Sequence, residues 1–171
     1  MPRPQPGSFP DFFQNYISKV KADNIAEAAD RYGTSVVDFF KNIPAEKASY
    51  KYAEGKWSLK EMLLHLIDAE RIFAYRALCI ARKDQTPLPG FDENLYATNS
   101  KADNRNWDDL ITEFEITRKS TDMLIKSFDE EQLQQQGITS NVPNTVNAIC
   151  YVVYGHILHH VQIVKERYLT D

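Results

Sequence analysis

The sequence has few cysteines and no long apolar run, and both absences exclude classes of protein. Only Cys79 and Cys150 are present, and they form no CxxC pair, so neither a disulfide framework nor a zinc ribbon is predicted. No stretch reaches about 18 apolar residues, so we expect no membrane span. Residues 1–10 hold four prolines and no apolar run, unlike a secretory signal. We therefore expect a cytoplasmic protein with both cysteines in its core.

An excess of positive charge is also missing. The formal net charge is -4 and the pI is near 5.6, with the basic residues scattered along the chain. Such a distribution provides no field that would attract a phosphate backbone. We expect a small-molecule partner and no nucleic acid.

The overall composition is typical of one globular domain. Hydrophobic residues make up 43% and charged residues 26% of the 171 residues, close to the averages of compact proteins. A chain of this length suits a single core. We predict one domain over residues 1–171, with residues 1–10 as an irregular N-terminal segment.

Four segments show helical periodicity and are separated by turn signals. The second begins at Ser58 with the S-x-x-E spacing of a capping box, and the fourth begins at Pro143, a residue suited to the first helical turn. A shorter aromatic piece containing Phe12, Phe13 and Tyr16 is predicted to pack against the others as a short helix. The four segments cover residues 23–41, 58–83, 107–127 and 143–169.

The connections between these segments define the predicted architecture. No segment alternates in the manner of a half-buried strand, so the class is all-α and the architecture a four-helix bundle. The connections of about 15 to 24 residues are longer than usual bundle loops. We expect them to contain short helices, and we expect residues 87–91 to cover one end of the bundle.

All four histidines lie in the second and fourth segments. On the fourth, His160 falls within the apolar arc, His156 lies at its edge and His159 lies further round, while Asn147 is placed on the opposite, polar face. The i,i+4 spacing lets two imidazoles reach one ion, and His65 borders the apolar arc of the second segment. We predict that His65, His156 and His160 bind one divalent metal.

The ligand set indicates which metals are suitable and which neighbours would assist. Three neutral imidazoles suit zinc, nickel, cobalt or ferrous iron and leave a coordination position free. Glu61 and Asp68 lie on the same side of their helix as His65, so either is a candidate to orient an imidazole or to act as a base. His159 and Trp57 are further candidates, the latter as a wall of the metal pocket.

Spacing alone leaves a second interpretation open. An isolated HxxxH is a weak pattern, and it fits equally a half-exposed His65 with a solvated surface cluster of the other three histidines. The arginines of the second segment, Arg71, Arg76 and Arg82, are interpreted as a solvated face paired with Glu70 and Asp68 and not as an anion site.

Four separated motifs occur in one order along the chain: KWS at 56–58, HLIDAER at 65–71, PLPGFD at 87–92 and GHILHH at 155–160. Together they resemble the DinB-like (DinB/YfiT) superfamily. The resemblance covers residues 23–168 and implies an up-down-down-up four-helix bundle with a long crossover. It also implies a metal held by one histidine of the second helix and the HxxxH pair of the last, here His65, His156 and His160. Relatives often carry an acidic residue where this chain has Ile157, so any role of that acid is absent or moved to another residue.

The superfamily includes thiol-dependent transferases and isomerases, so the resemblance identifies a site more firmly than a reaction. Our first hypothesis is a metal-dependent enzyme that activates a small thiol or a water. The second is a non-catalytic module whose cleft, lined by Phe73, Tyr75, Tyr151 and Tyr154, binds an apolar ligand. The third is a structural or stress-response protein that acts as a homodimer.

Overall fold

The computed structural model describes residues 1–170, and nearly all of its regular structure is helical. A two-stranded sheet of β1 (Gln136–Thr139) and β2 (Val142–Thr145) precedes the last helix. Short 3-10 turns at Asp11–Phe13, Ala45–Lys47 and Ala102–Asn104 lie in the connections, and a π-helical turn at Val164–Tyr168 follows the last helix. The α-helices are α1 (Gln14–Ile17), α2 (Ile25–Tyr32), α3 (Ser35–Lys41), α4 (Leu59–Ala81), α5 (Glu93–Asn99), α6 (Trp107–Lys126), α7 (Glu130–Gln134) and α8 (Val146–Ile163).

The bundle consists of α4, α6, α8 and the broken first helix formed by α2 and α3. The longest helix, α4, packs against both α6 and α8, while α2 and α3 pack against the same two partners. The predicted four-helix bundle is confirmed, and so are the short helices in its connections. Among residues 1–170, no helix combines the length and apolar character that crossing a membrane requires.

The start of α4 follows from its first residues. The Ser58 side chain accepts a hydrogen bond from the backbone N–H of Glu61, and the Glu61 carboxylate accepts one from the backbone N–H of Ser58. This reciprocal pair satisfies two N–H groups that a helix start leaves without partners. The predicted capping box is confirmed, and it sets the helical register that carries His65.

The first predicted helix is divided in two. Between α2 and α3 the chain turns at Gly33 and Thr34, and a Cβ added to Gly33 would overlap the carboxylate of Asp122 on α6. The glycine allows this close approach, whereas periodicity alone predicted one continuous helix over residues 23–41.

The predicted start of the fourth helix at Pro143 is wrong, as is the expectation of no strand. Pro143 pairs with Ile138 across the hairpin, and α8 begins after Thr145, whose side chain caps it by accepting from the Ala148 N–H. Ser140 and Asn141 both have positive φ, 52° and 66°, the conformation of a two-residue hairpin turn. Because each strand has only four residues, alternation was too short to detect.

The last helix is buried on nearly all sides, which corrects the prediction of a polar face at Asn147. Asn147 is fully buried, and its Nδ2 donates to the carbonyl of Pro2. The N-terminal residues 1–10 form no helix or strand, yet the Arg3 N–H also bonds to the Asp23 carbonyl at 2.9 Å. Cys150 lies in the core as predicted, whereas Cys79 is only partly buried.

Candidate metal centre

Three imidazoles from two helices meet inside the bundle. His65 comes from α4, and His156 and His160 come from successive turns of α8; they are 6%, 7% and 9% exposed. The Nε2 atom of His156 lies 3.1 Å from Nε2 of His65 and 3.2 Å from Nε2 of His160. All three ligand atoms lie within 4.8 Å of one another. The interpretation as a solvated surface cluster is therefore wrong for these three residues.

Hydrogen bonds among the three imidazoles cannot satisfy all of their Nε2 atoms. A ring nitrogen of neutral imidazole carries either one proton or one lone pair, so Nε2 of His156 can make only one good hydrogen bond. It nevertheless has two Nε2 neighbours at hydrogen-bond distance. A divalent cation would accept all three lone pairs together, which removes the conflict.

The nitrogen separations also suit a metal of the first transition row. Zinc–nitrogen bonds of about 2.0–2.1 Å separate two ligands by about 3.3 Å at a tetrahedral angle and about 2.9 Å at a right angle. The observed separations of 3.1 and 3.2 Å lie between these values. These two separations, and the type of donor atom, therefore suit a divalent transition metal.

Burial keeps these imidazoles in the form that binds metals. It lowers the pKa of His65 to about 4 and that of His160 to about 3, the latter with repulsion from neighbouring histidines as a smaller cause. The pKa of His156 is also lowered well below its usual 6.5, first by burial and then by the charges of His160 and His65. Near neutral pH each ring is uncharged and keeps a lone pair for a cation.

Aromatic rings pack around the cluster. The ring of Trp57 lies 4.8 Å from that of His65, while Tyr16 and Phe73 meet His156 edge-on at 5.5 and 5.7 Å. Trp57 therefore forms a wall beside the cluster, where sequence reasoning had placed it as a candidate. These rings restrict the rotamers of the imidazoles and limit contact with bulk water.

The remaining candidates lie outside the cluster. His159 is partly buried, with its ring 5.2 Å from that of His160 and 5.5 Å from that of Tyr16, and it does not join the group of converging ligand atoms. Its position on the helix differs by one residue from that of His160, so it points to another side of α8.

Neither predicted carboxylate is bonded to an imidazole. Glu61 is engaged in the helix cap and pairs with Lys51 at 2.8 Å, and Asp68 lies 3.8 Å from Arg71. Within residues 1–170, Nδ1 of His160 is buried without a hydrogen-bond partner. The role of orienting an imidazole is therefore not filled by Glu61 or Asp68 in this arrangement.

Two cavities reach the cluster from different directions. The first has a volume of about 170 Å³, and His65 and His156 form part of its wall. The second, of about 230 Å³, is lined by His160 and Trp57. The first cavity is further lined by Phe12, Phe13, Tyr16, Ala69, Phe73, Arg76, Phe91, Glu93, Thr139 and Ser140.

The cover predicted at residues 87–91 contributes to the first cavity. Leu88 pairs with the hairpin, accepting from the Ser140 N–H and donating to the Ile138 carbonyl, both at 2.9 Å. This pairing holds Phe91 against the cavity. Sequence reasoning expected a cover here, but it missed the hairpin to which the cover is bonded.

The arginines of α4 do not share one environment. Arg71 is exposed and pairs with Glu113 and Asp68, and Arg82 is also exposed. Arg76 is buried and lines the first cavity, so the prediction of a solvated face is wrong for this residue. Glu70, predicted as a surface partner, is buried against Arg118 at 2.9 Å.

The predicted aromatic cleft does not form. Only Phe73 of the four residues lines a cavity beside the histidines, and Tyr75 is 58% exposed. Tyr151 and Tyr154 are core residues whose hydroxyls donate to the Ala22 carbonyl and the Asp122 carboxylate. The cavity wall comes instead from α1 and Arg76, which the helical periodicity of α4 and α8 could not reveal.

Comparison with known proteins agrees with the fold. A Bacillus subtilis structure, YfiT, superimposes with a TM-score of 0.71 at 12% identity, covering 95% of this chain and 89% of YfiT. It is described as a probable metal-dependent hydrolase with an unusual four-helix bundle topology. No curated protein matches the sequence significantly.

A family model provides the assignment. The model of the DinB superfamily matches residues 28–164, a span that includes all three converging histidines and the four bundle helices other than the first turn of α2. The motifs at residues 56–58, 65–71, 87–92 and 155–160 fall inside this span. The chain belongs to the DinB superfamily.

Proposed function

We propose that this chain is a metal-dependent hydrolase in which His65, His156 and His160 bind a divalent transition metal, with zinc, nickel and ferrous iron as candidates. One observation carries the proposal: three buried Nε2 atoms converge beside a cavity that admits a small molecule. Three protein ligands leave a coordination position free, as in catalytic zinc sites and unlike closed structural ones. The likeness to YfiT adds support.

The chemistry divides between the metal and the protein. A bound metal of this kind supplies a Lewis acid that lowers the pKa of a coordinated water or thiol and polarises a carbonyl oxygen. Near neutral pH the imidazoles are uncharged, as metal binding requires. Trp57 and Phe73 shield them from bulk water. The apolar wall of the first cavity holds the substrate beside the imidazoles.

Tyr16 offers a proton donor at the same cavity. Burial raises the pKa of its phenol, with the nearby charge of Glu93 as a second cause. The phenol therefore keeps its proton near neutral pH and can donate a hydrogen bond to a substrate oxygen.

Metal analysis tests the proposal directly. Protein purified without chelator, or reloaded after chelation, should contain about one metal per chain, because the three imidazoles form one site. His160→Ala should lose the metal, since two nitrogens remain. His159→Ala is the matched control, with the neighbouring imidazole removed, and should keep it. Circular dichroism should show both variants folded.

Specific results would overturn the hydrolase proposal. Wild-type protein that takes up no zinc, nickel or iron would overturn it, and so would His160→Ala protein that binds as well as wild type. Ligand binding that survives chelation, with no turnover of any ester or amide by the metal-loaded protein, would favour the non-catalytic binding module.

Thiol transfer is the second candidate, and the two cavities favour it. A reaction that joins a small thiol to an acceptor needs room for two substrates, and the cluster contacts one cavity through His65 and His156 and another through His160. Mass analysis of products separates the candidates: hydrolysis incorporates oxygen from labelled water, whereas transfer yields a sulfur adduct. A product with neither label nor sulfur would contradict both.

A further inference from the structure

Arg76 is a buried cation in the wall of the first cavity. It lies on α4 and is only 4% exposed, and the same cavity is bounded by His65 and His156. Phe73 lies between Arg76 and the histidines, with its ring 5.7 Å from the His156 ring and 5.9 Å from Cζ of Arg76. The guanidinium is therefore positioned on one side of a small chamber and the imidazoles on another.

Only part of the guanidinium is used by the protein. Its Nη2 donates to the Pro89 carbonyl at 2.6 Å and to Oγ of Ser140 at 3.1 Å. Arginine has five N–H donors, so the three on Nε and Nη1 have no protein partner within residues 1–170. These two atoms are not among the fully buried, unpartnered polar atoms, so they keep some accessible surface, and Arg76 lines the first cavity.

Within residues 1–170, no carboxylate neutralises this charge. Arg76 forms no ion pair with any carboxylate of residues 1–170, unlike the buried Arg118, which pairs with Glu70 and Asp122. A buried guanidinium without a counter-ion is costly unless an anion binds it. Glu93 also lines the cavity, but it is exposed and does not reach Arg76.

The volume and lining of the cavity suit a small anion. Aromatic rings face the guanidinium on two sides, with Phe73 and Phe91 each 5.9 Å from its Cζ, and Ala69 leaves space on α4 between His65 and Phe73. The volume of about 170 Å³ is close to that of an engineered cavity of about 150 Å³ that holds benzene. Nε and Nη1 lie on opposite edges of the guanidinium, so a carboxylate oxygen can accept a charge-assisted hydrogen bond from either of them.

We propose that Arg76 binds the carboxylate of a small organic acid and thereby directs the rest of that molecule toward His65, His156 and His160. That the other end of this molecule reacts depends on the proposed metal-dependent function, whereas binding of its carboxylate by Arg76 does not. Glu93 at the rim disfavours a second negative charge, so the substrate class is a monocarboxylate.

Binding to the metal-free protein isolates the arginine. We would titrate chelated wild type with benzoate and with benzamide, which have the same shape but differ in charge, and follow the amide chemical shifts of α4 and the hairpin. Benzoate should bind at least about tenfold more tightly, because charge-assisted hydrogen bonds replace neutral ones. Arg76→Gln should abolish this preference, and Arg71→Gln, which removes an exposed charge from the same helix, should keep it.

Two further variants separate recognition from a structural role. Arg76→Lys retains the charge but replaces the planar guanidinium by a compact ammonium, so it should bind benzoate with intermediate affinity even if Arg76→Gln is poorly folded. Glu93→Gln removes a competing charge from the rim, so it should tighten benzoate binding by a few-fold and leave benzamide unchanged. Equal binding of benzoate and benzamide by wild type would overturn the proposal. It would also be overturned if benzoate binding changed in neither Arg76→Gln nor Glu93→Gln.

The result of the benzoate titration does not depend on whether the protein binds a metal. If the protein takes up no metal but prefers benzoate through Arg76, the hydrolase proposal fails and the carboxylate site remains. If metal binds and the probes are not distinguished, the carboxylate site fails and the metal centre remains.

Discussion

Gly155 lies directly against the backbone of Tyr16, and a Cβ added at Gly155 would overlap the Tyr16 carbonyl group. This contact brings α1 close to α8 next to His156, and it places the Tyr16 ring 5.5 Å from that imidazole. The absence of one side chain in α8 therefore allows α1 to form part of the cavity wall.

Gly155→Ala should destabilise the protein by about 1–3 kcal/mol, because the added methyl group forces two packed helices apart. Urea unfolding measures the change. Gly90→Ala is the control: its added Cβ would lie at an ordinary distance of 3.4 Å from Oγ of Ser140, and it should stay within about 0.5 kcal/mol of wild type. Equal effects of the two substitutions would show that α1 does not pack closely on α8.

Trp57 should report metal binding through its fluorescence. Its ring lies 4.8 Å from the His65 ring, so a nickel or cobalt ion held by His65 should quench its emission at short range. Trp57→Phe should remove most of the metal-dependent change. Trp107→Phe, which removes the other tryptophan from the start of α6, should retain it. Quenching that depends on Trp107 alone would place the metal elsewhere.

Arg118→Met should destabilise the protein by about 3–5 kcal/mol. Arg118 and Glu70 are each 1% exposed and lie 2.9 Å apart, so the substitution leaves a buried carboxylate without its partner. Lys119→Met is the neighbouring control, because Lys119 is 77% exposed and its pair with Glu115 spans 3.7 Å; it should change stability by less than about 1 kcal/mol. Thermal and urea unfolding measure both. A small effect of Arg118→Met would show that the carboxylate takes up a proton or water at little cost.

Local signals in the sequence predicted the long helices well. Ser58 caps α4 through the predicted box, and α6 begins at Trp107 as expected. Capping and periodicity depend on residues within about one turn of each other, so they can be identified without knowledge of the fold. The same reasoning placed His156 and His160 on the inner side of α8.

Features that depend on distant contacts were predicted poorly. Asn147 was placed on a polar face, but residues 1–10 cover it and Pro2 accepts its hydrogen bond. Arg76 was assigned to solvent because its charge suggested exposure. It is buried instead by segments outside its helix, which include Pro89, 13 positions away, and Ser140, 64 positions away. Periodicity describes which residues share a face, but not which segment later covers that face.

The sequence by itself determined the mainly helical class and the start of α4, because helix geometry and capping act locally. It also identified His65, His156 and His160 as candidate ligands, although spacing alone left the surface cluster open. Only the tertiary structure decided that Nε2 of His65 would meet Nε2 of His156 at 3.1 Å, that α1 would approach α8 at Gly155, and that Arg76 would line the cavity. Those relationships join segments up to 139 positions apart, as Tyr16 and Gly155 are. Packing of whole helices sets such distances, and no local pattern encodes them.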